Sequence, residues 1–309
     1  MKVEINWFVE LVQVLLFLSD RQDKTSQCLN NQAYVNSIYE WFVFYKNHNA
    51  VILTRNLIDN RSFYHIKPLR AILSLESLFS DTDKDLQSWS LAVKDFAQVT
   101  CFDAFFESQR EYYQWILDHI RSCNLDAWVT FIEKYFRDKP DEFNLIICPF
   151  AGNYGFSLYN KCKRSMYTVR AMPYYDEQGE PDWRFDYFAK GVAHEYAHCF
   201  VNPIVEANKN KLAQHKAFFK MHTNIPRSYN TDYAVINEYF VRAFQIRFME
   251  LNKMFFPNFN IAAEYELQKR NFVFLDRFLD ALKEFECGDR SFSEFYNAYL
   301  SSVLTTEYK

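Results

Sequence analysis

The sequence predicts a mainly helical α+β fold, on three observations. Apolar residues recur at three- and four-residue spacing through most of residues 1–140 and again beyond residue 231. Between these regions, residues 144–172 hold three short runs rich in β-branched and aromatic side chains. Glycine is scarce, with 5 in 309 residues, which argues against Rossmann and P-loop architectures and against sandwiches.

Each element has its own signal. Trp7–Leu18 is apolar, but Glu4 precedes it, Glu10 interrupts it and no small-residue cleavage site follows. It therefore reads as an amphipathic helix rather than a signal peptide. Helices are expected over Tyr34–Asn47, Pro68–Phe79, Leu91–Phe106 and Glu111–Ile120. Pro68 suits a first helical turn, where a missing N–H costs nothing. Pro140 and the polar stretch Arg137–Glu142 mark a break. Asn144–Phe150, Gly155–Tyr159 and Met166–Met172 then predict a small three-stranded sheet, with a turn at Asn160–Arg164. A loop over Tyr174–Asp182 leads into a helix at Phe188–Val201, stopped by Asn202-Pro203. A polar helix and loop cover Glu206–Asn230, and a long apolar helix spans Thr231–Leu251. Helices near Ala262–Phe285 and Ser291–Leu304 close the chain, parted by a Cys287-Gly288-Asp289 turn. Ser291 with Glu294 has the spacing of a capping box. Segments 1–140, 141–255 and 256–309 read as parts of one domain.

Composition narrows the function classes. Hydrophobic residues make up 49% and aromatics 19%, so the chain can bury a large core and is not disordered. The net charge of −4 gives no electrostatic reason to expect nucleic acid. The 7 cysteines are scattered without a CxxC pair, which argues against a disulfide framework or a cysteine zinc cluster. No run of ~18 apolar residues occurs, so no membrane span is expected.

One pattern carries chemistry. His194-Glu195-Tyr196-Ala197-His198 is an HExxH sequence. On a helix, His194 and His198 share a face and can present two imidazole nitrogens to one metal ion. Glu195 lies about 100° around, where it can take a proton from water. Phe188, Val192, Tyr196 and Phe200 recur every four residues and would form the core-facing stripe of that helix. The bland alternative is two satisfied histidines on a buried helix. A third ligand must come from elsewhere, because Val201 and Ile204 stand where an HExxHxxGxxH extension needs Gly and His. The best candidate is Glu238. It sits in the apolar Thr231–Leu251 helix, whose Ile236, Phe240, Phe244 and Phe248 are core-like, on a polar stripe with Arg242 and Gln245. A carboxylate in so apolar a helix needs a partner. That partner is either a metal ion or Arg242, and Arg242 can also orient a metal-bound Glu238 from behind.

His194–Pro203 (HEYAHCFVNP) followed by Asn237–Ala243 (NEYFVRA) resembles a bacterial domain-of-unknown-function family read as gluzincin-type (HExxH…E) zinc metalloproteases. Val3–Asn6, Val9–Leu11, Tyr45–Val51 and Asn153–Gly155 carry the likeness further along the chain. The resemblance implies a zincin-like metallopeptidase domain with one zinc per chain. His194, His198 and Glu238 would be its ligands and Glu195 the general base. It also implies export or a cell-envelope location, whereas the lack of a signal-peptide pattern in Trp7–Leu18 leaves a cytoplasmic one open. The chain departs from the best-known gluzincins, which have Asp where Arg242 stands, four residues after the third ligand. Peptide or protein substrates are expected, docking as an added strand along the one opened by Asn153, Tyr154 and Gly155. Two other readings share these residues: a non-catalytic peptide- or glycan-binding protein, and a zinc amidase of a non-peptide substrate. Tyr229, Tyr233 and His222 precede Glu238, and none stands out as an oxyanion donor. His48, His65, His119 and His215 have no partner spacing.

Overall fold

The structure is a computed structural model, and it describes residues 1–20, 31–59, 84–149, 153–160, 163–171, 174–176, 178, 180–221 and 231–304. It is α+β and mainly helical, as expected, and divides into two compact units: residues 1–124 with 141–184, and residues 125–140 with 185–309.

The first unit opens with β1 (Lys2–Glu4) and α1 (Trp7–Leu18). It continues through α2 (Gln32–Phe42), a 3-10 turn at Val43–Tyr45, α3 (Asn49–Asp59), α4 (Lys84–Val99), α5 (Phe102–Ser108) and α6 (Arg110–Arg121). Strands β2 (Glu142–Cys148), β3 (Asn153–Asn160) and β4 (Lys163–Ala171) follow, then a small ribbon of β5 (Tyr174–Tyr175) and β6 (Pro181–Asp182). The main sheet has the order β1-β2-β4-β3. β1, β2 and β4 are mutually parallel, and β3 pairs antiparallel with β4 from the outside, closing a hairpin at Asn160 and Lys163. β1 is an addition to the predicted sheet. Three residues are too few for a periodicity signal, and Val3 is placed only by its partner Leu145.

Three corrections concern this unit. α1 has the predicted limits but is not amphipathic, because every residue from Val9 to Leu18 is buried, including Glu10 and Gln13. The expected Leu91–Phe106 helix is two helices, parted where Cys101 adopts a left-handed φ of 52°. Next to it, the Thr100 hydroxyl donates to the Phe96 carbonyl at 2.7 Å, a side-chain bond that competes with the helix ladder. α3 is a helix that the sequence reading does not contain. The Pro68–Phe79 expectation lies outside the described residues. An aromatic cluster holds the helices together: Phe42 meets Phe96 at 5.9 Å and Phe105 at 4.8 Å between ring centroids.

The second unit contains α7 (Leu125–Phe136), α8 (Phe185–Ala207), the short α9 (Lys209–Leu212) and α10 (Lys216–Lys220), α11 (Asp232–Leu251), α12 (Ile261–Lys269), α13 (Leu275–Cys287) and α14 (Phe292–Val303). α8 does not stop at Asn202-Pro203 and runs on to Ala207 with Pro203 inside it. Proline removes only the donor that the Cys199 carbonyl would have used. Beyond it Val205 is fully buried, and the Asn208 side chain donates to the Ile204 carbonyl at 2.8 Å, which secures the last turn. The expected Ala262–Phe285 helix is also two helices. Between them Phe272 packs on Tyr239 (5.1 Å) and Phe274 on Phe218 (5.1 Å), so tertiary burial overrides a segment without Gly or Pro. The Ser291–Glu294 capping box is present at the start of α14. Among the described residues, Cys101, Cys123 and Cys287 are free thiols. Among the described residues no helix is long and apolar enough to cross a membrane.

Candidate metal centre

α8 is fixed by its aromatic face. Phe188, Val192, Tyr196 and Phe200 are buried as their spacing predicts. Phe200 stacks on Phe136 of α7 at 4.8 Å with planes 5° apart, and the Tyr196 hydroxyl donates to Glu133 at 3.1 Å. This anchoring turns His194 and His198 to another face, where their ring centroids lie 5.0 Å apart. α11 starts at a Thr231 cap whose hydroxyl accepts from Ala234 N at 3.3 Å, and its Phe240, Phe244 and Phe248 are fully buried. The helix therefore faces α8 with the polar stripe that the sequence singled out. Glu238 meets the histidines, and two turns on, Gln245 donates to the Lys190 carbonyl at 3.4 Å.

The three side chains converge. Glu238 Oε1 lies 3.3 Å from His198 Nε2, and Glu238 Oε2 lies 3.9 Å from His194 Nε2. One ligand atom from each of His194, His198 and Glu238 falls within 4.8 Å of the others, so the group could hold a metal ion. Two ligands at ~2.1 Å from one tetrahedral ion stand ~3.4 Å apart, and the observed separations begin near that value and run slightly above it. Glu238 Oε2 also accepts no hydrogen bond despite its burial, an open lone pair of the kind a cation would fill. Arg242 Nε lies 2.9 Å from that oxygen as an ion pair without hydrogen-bond alignment, and its guanidinium packs 4.5 Å over the Phe272 ring.

Charge around the group is strongly coupled. Burial pushes the Glu238 carboxyl upward, but Arg242, His198 and His194 outweigh it and hold the acid well below the usual carboxylate range. Burial acts the other way on His198. The hydrogen bond and charge of Glu238, the charge of Glu195 and the Asn202 side chain overcome it and push the imidazole up to about 9. The carboxylate of Glu238 thus favours the protonated imidazole. Nε2 faces Glu238 Oε1 at 3.3 Å and Nδ1 faces Asn202 Oδ1 at 3.0 Å.

Glu195 is buried on α8, and its charge reaches His198. Asn153, Tyr154 and Gly155 open β3, an outermost strand of the first unit's sheet, in register with Arg170, Val169 and Thr168. Tyr233 lies in the first turn of α11, while His65, His222 and Tyr229 fall outside the described residues. His48 Nε2 pairs with Asp95 at 3.1 Å, and His119 stacks on Trp183 at 4.3 Å; neither joins a ligand group. The sequence reading misses Asn202. Its signal is plain spacing, four residues past His198, masked by a following proline that argues for a helix end there.

The family described as Domain of unknown function (DUF4932) matches residues 68–302, well over half of the chain. The chain belongs to the DUF4932 family. The DUF4932 match spans every residue of the metal group, Glu195, Asn202, Arg242 and the start of β3, whereas β1 and α1 to α3 precede it. No curated protein and no solved structure matches the chain.

Proposed function

We propose that this DUF4932 domain is a zinc-dependent hydrolase of amide bonds that acts on peptide or protein substrates. The observation that carries the reading is the convergence of His194, His198 and Glu238 from two helices, with Glu195 beside them on α8. Two imidazole nitrogens and a carboxylate oxygen are a donor set that suits zinc. Three protein ligands also leave a coordination position open, as catalytic sites do. When bound, zinc supplies Lewis acidity to a carbonyl and to water. The chain does the rest. Glu195 takes the proton from the attacking water and returns it to the leaving nitrogen, which is general base and then general acid work. Arg242 keeps Glu238 ionised, so the carboxylate is available as a ligand at neutral pH without losing a proton first.

Protein purified without added metal is expected to carry one zinc per chain by elemental analysis and to cleave members of a peptide library. Glu195→Gln should keep the zinc and the fold and lower kcat by ~10²–10⁴-fold. Metal-free native protein, or a Glu195→Gln variant as active as the native chain, sinks the proposal. A zinc-loaded native protein that binds peptides or glycans without cleaving them replaces it with the non-catalytic binding reading.

A further inference from the structure

We infer that Asn202 is a positioning residue of the metal centre: its amide oxygen fixes the tautomer of His198 and so sets the affinity for the metal. The inference rests on the zinc reading above and adds a residue that the HExxH…E ligand set does not contain.

An imidazole offers its two nitrogens on opposite edges. In His198, Nε2 faces Glu238 Oε1 at 3.3 Å, which makes it the nitrogen that would bind a metal. The ring's remaining proton must then sit on Nδ1, because a neutral imidazole holds one proton and a ligating nitrogen cannot keep it. Nδ1 therefore needs an acceptor. Asn202 Oδ1 provides it at 3.0 Å. The opposite amide orientation would turn the NH₂ group toward Nδ1 and force the proton onto Nε2, the edge that faces Glu238. Of the two orientations only the one with Oδ1 toward Nδ1 leaves His198 ready to ligate, and that is the orientation present.

The placement depends on the backbone. Asn202 reaches His198 because α8 stays helical through Pro203, which sets residues 198 and 202 on one face one turn apart. A residue that precedes proline is disfavoured in a helix, so the helical Asn202 sits at a position where local preference points elsewhere. The side chain is an amide, not a carboxylate. It orients the ring without adding a third acid to a centre that already holds Glu195 and Glu238 within reach of His198.

The test is zinc affinity measured by competition with a chromophoric chelator, on the full-length native chain and on single variants. Asn202→Ala is expected to weaken zinc binding by ~10–100-fold, and Asn202→Asp, which keeps the acceptor, to restore it to within about threefold of native. Asn208→Ala is the structural control. It removes the bond to the Ile204 carbonyl at the same helix end without touching His198, and should leave the affinity unchanged. Nitrogen-15 spectra of zinc-loaded native protein should show the His198 proton on Nδ1. Native-like zinc affinity in Asn202→Ala, or an equal loss in Asn208→Ala, overturns the inference while leaving the zinc reading in place. A native chain that binds no zinc overturns both.

Discussion

Two glutamates, one in each unit, lie almost wholly buried in helices and titrate in opposite directions. Glu10 in α1 is 1% exposed and Glu238 in α11 is 6% exposed. Burial raises both. Around Glu10 the partners are neutral. Tyr34 donates to its Oε2 at 2.7 Å, Tyr113 meets the Tyr34 hydroxyl at 2.8 Å, and the Cys148 thiol adds a weak bond. These do not offset the lost hydration, and the acid is pushed up to about 7. Around Glu238 stand Arg242, His198 and His194, which carry or can carry positive charge, and the acid stays ionised. Burial alone therefore does not mark a functional acid. The partners tell the two apart: hydroxyls leave a buried carboxyl titrating near 7, and cations hold it ionised, the form that could bind a metal ion.

The comparison breaks most readily at Glu238. Glu238→Ala would leave Arg242 without its counter-charge and His198 without the acid that holds its second proton. It should cost about 3–5 kcal/mol in urea unfolding of the metal-free protein. A loss below about 1 kcal/mol would show that Glu238 is not held by these cations.

The next effect is the pH dependence contributed by Glu10. Its folded value of about 7 lies above the ordinary 4.5, so the folded unit favours the protonated acid. The contribution is fully present below pH 4.5, where both states are protonated. It is lost as pH rises through 7, because the unfolded chain releases the proton first. The span corresponds to about 3 kcal/mol. Unfolding curves from about pH 4 to 8 should decline over this range for the native chain and flatten in Glu10→Gln; parallel curves would mean that Glu10 ionises normally. The smallest effect belongs to Tyr34→Phe, about 1–2 kcal/mol from the unmade bond to Glu10. Because that bond lowers the Glu10 value, its removal should carry the pH decline further upward.

Much of the candidate centre was legible because helical spacing is rigid. Residues 194 and 198 must share a face, and Glu238 stood out as an acid on a helix otherwise rich in Ile and Phe. The Ser291 cap was equally local. What escaped depended on contacts far along the chain. β1 exists through its pairing with β2, the break before α13 through Phe272 and Phe274 seeking Tyr239 and Phe218, and the burial of α1 on all sides through neighbours that no single helix reveals. Pro203 is the instructive failure. A rule about proline that holds on average ends the helix at Val201, short of its last residue Ala207, and with it goes the hydrogen-bond partner of His198.

The contact between His198 and Glu238 has one more consequence. Glu238 favours a proton on the His198 imidazole, so that proton and a metal ion compete for Nε2. On the zinc reading, loading is then an exchange of one cation for another inside a finished scaffold. Zinc affinity should then rise with pH, as the departing proton passes to the surrounding water.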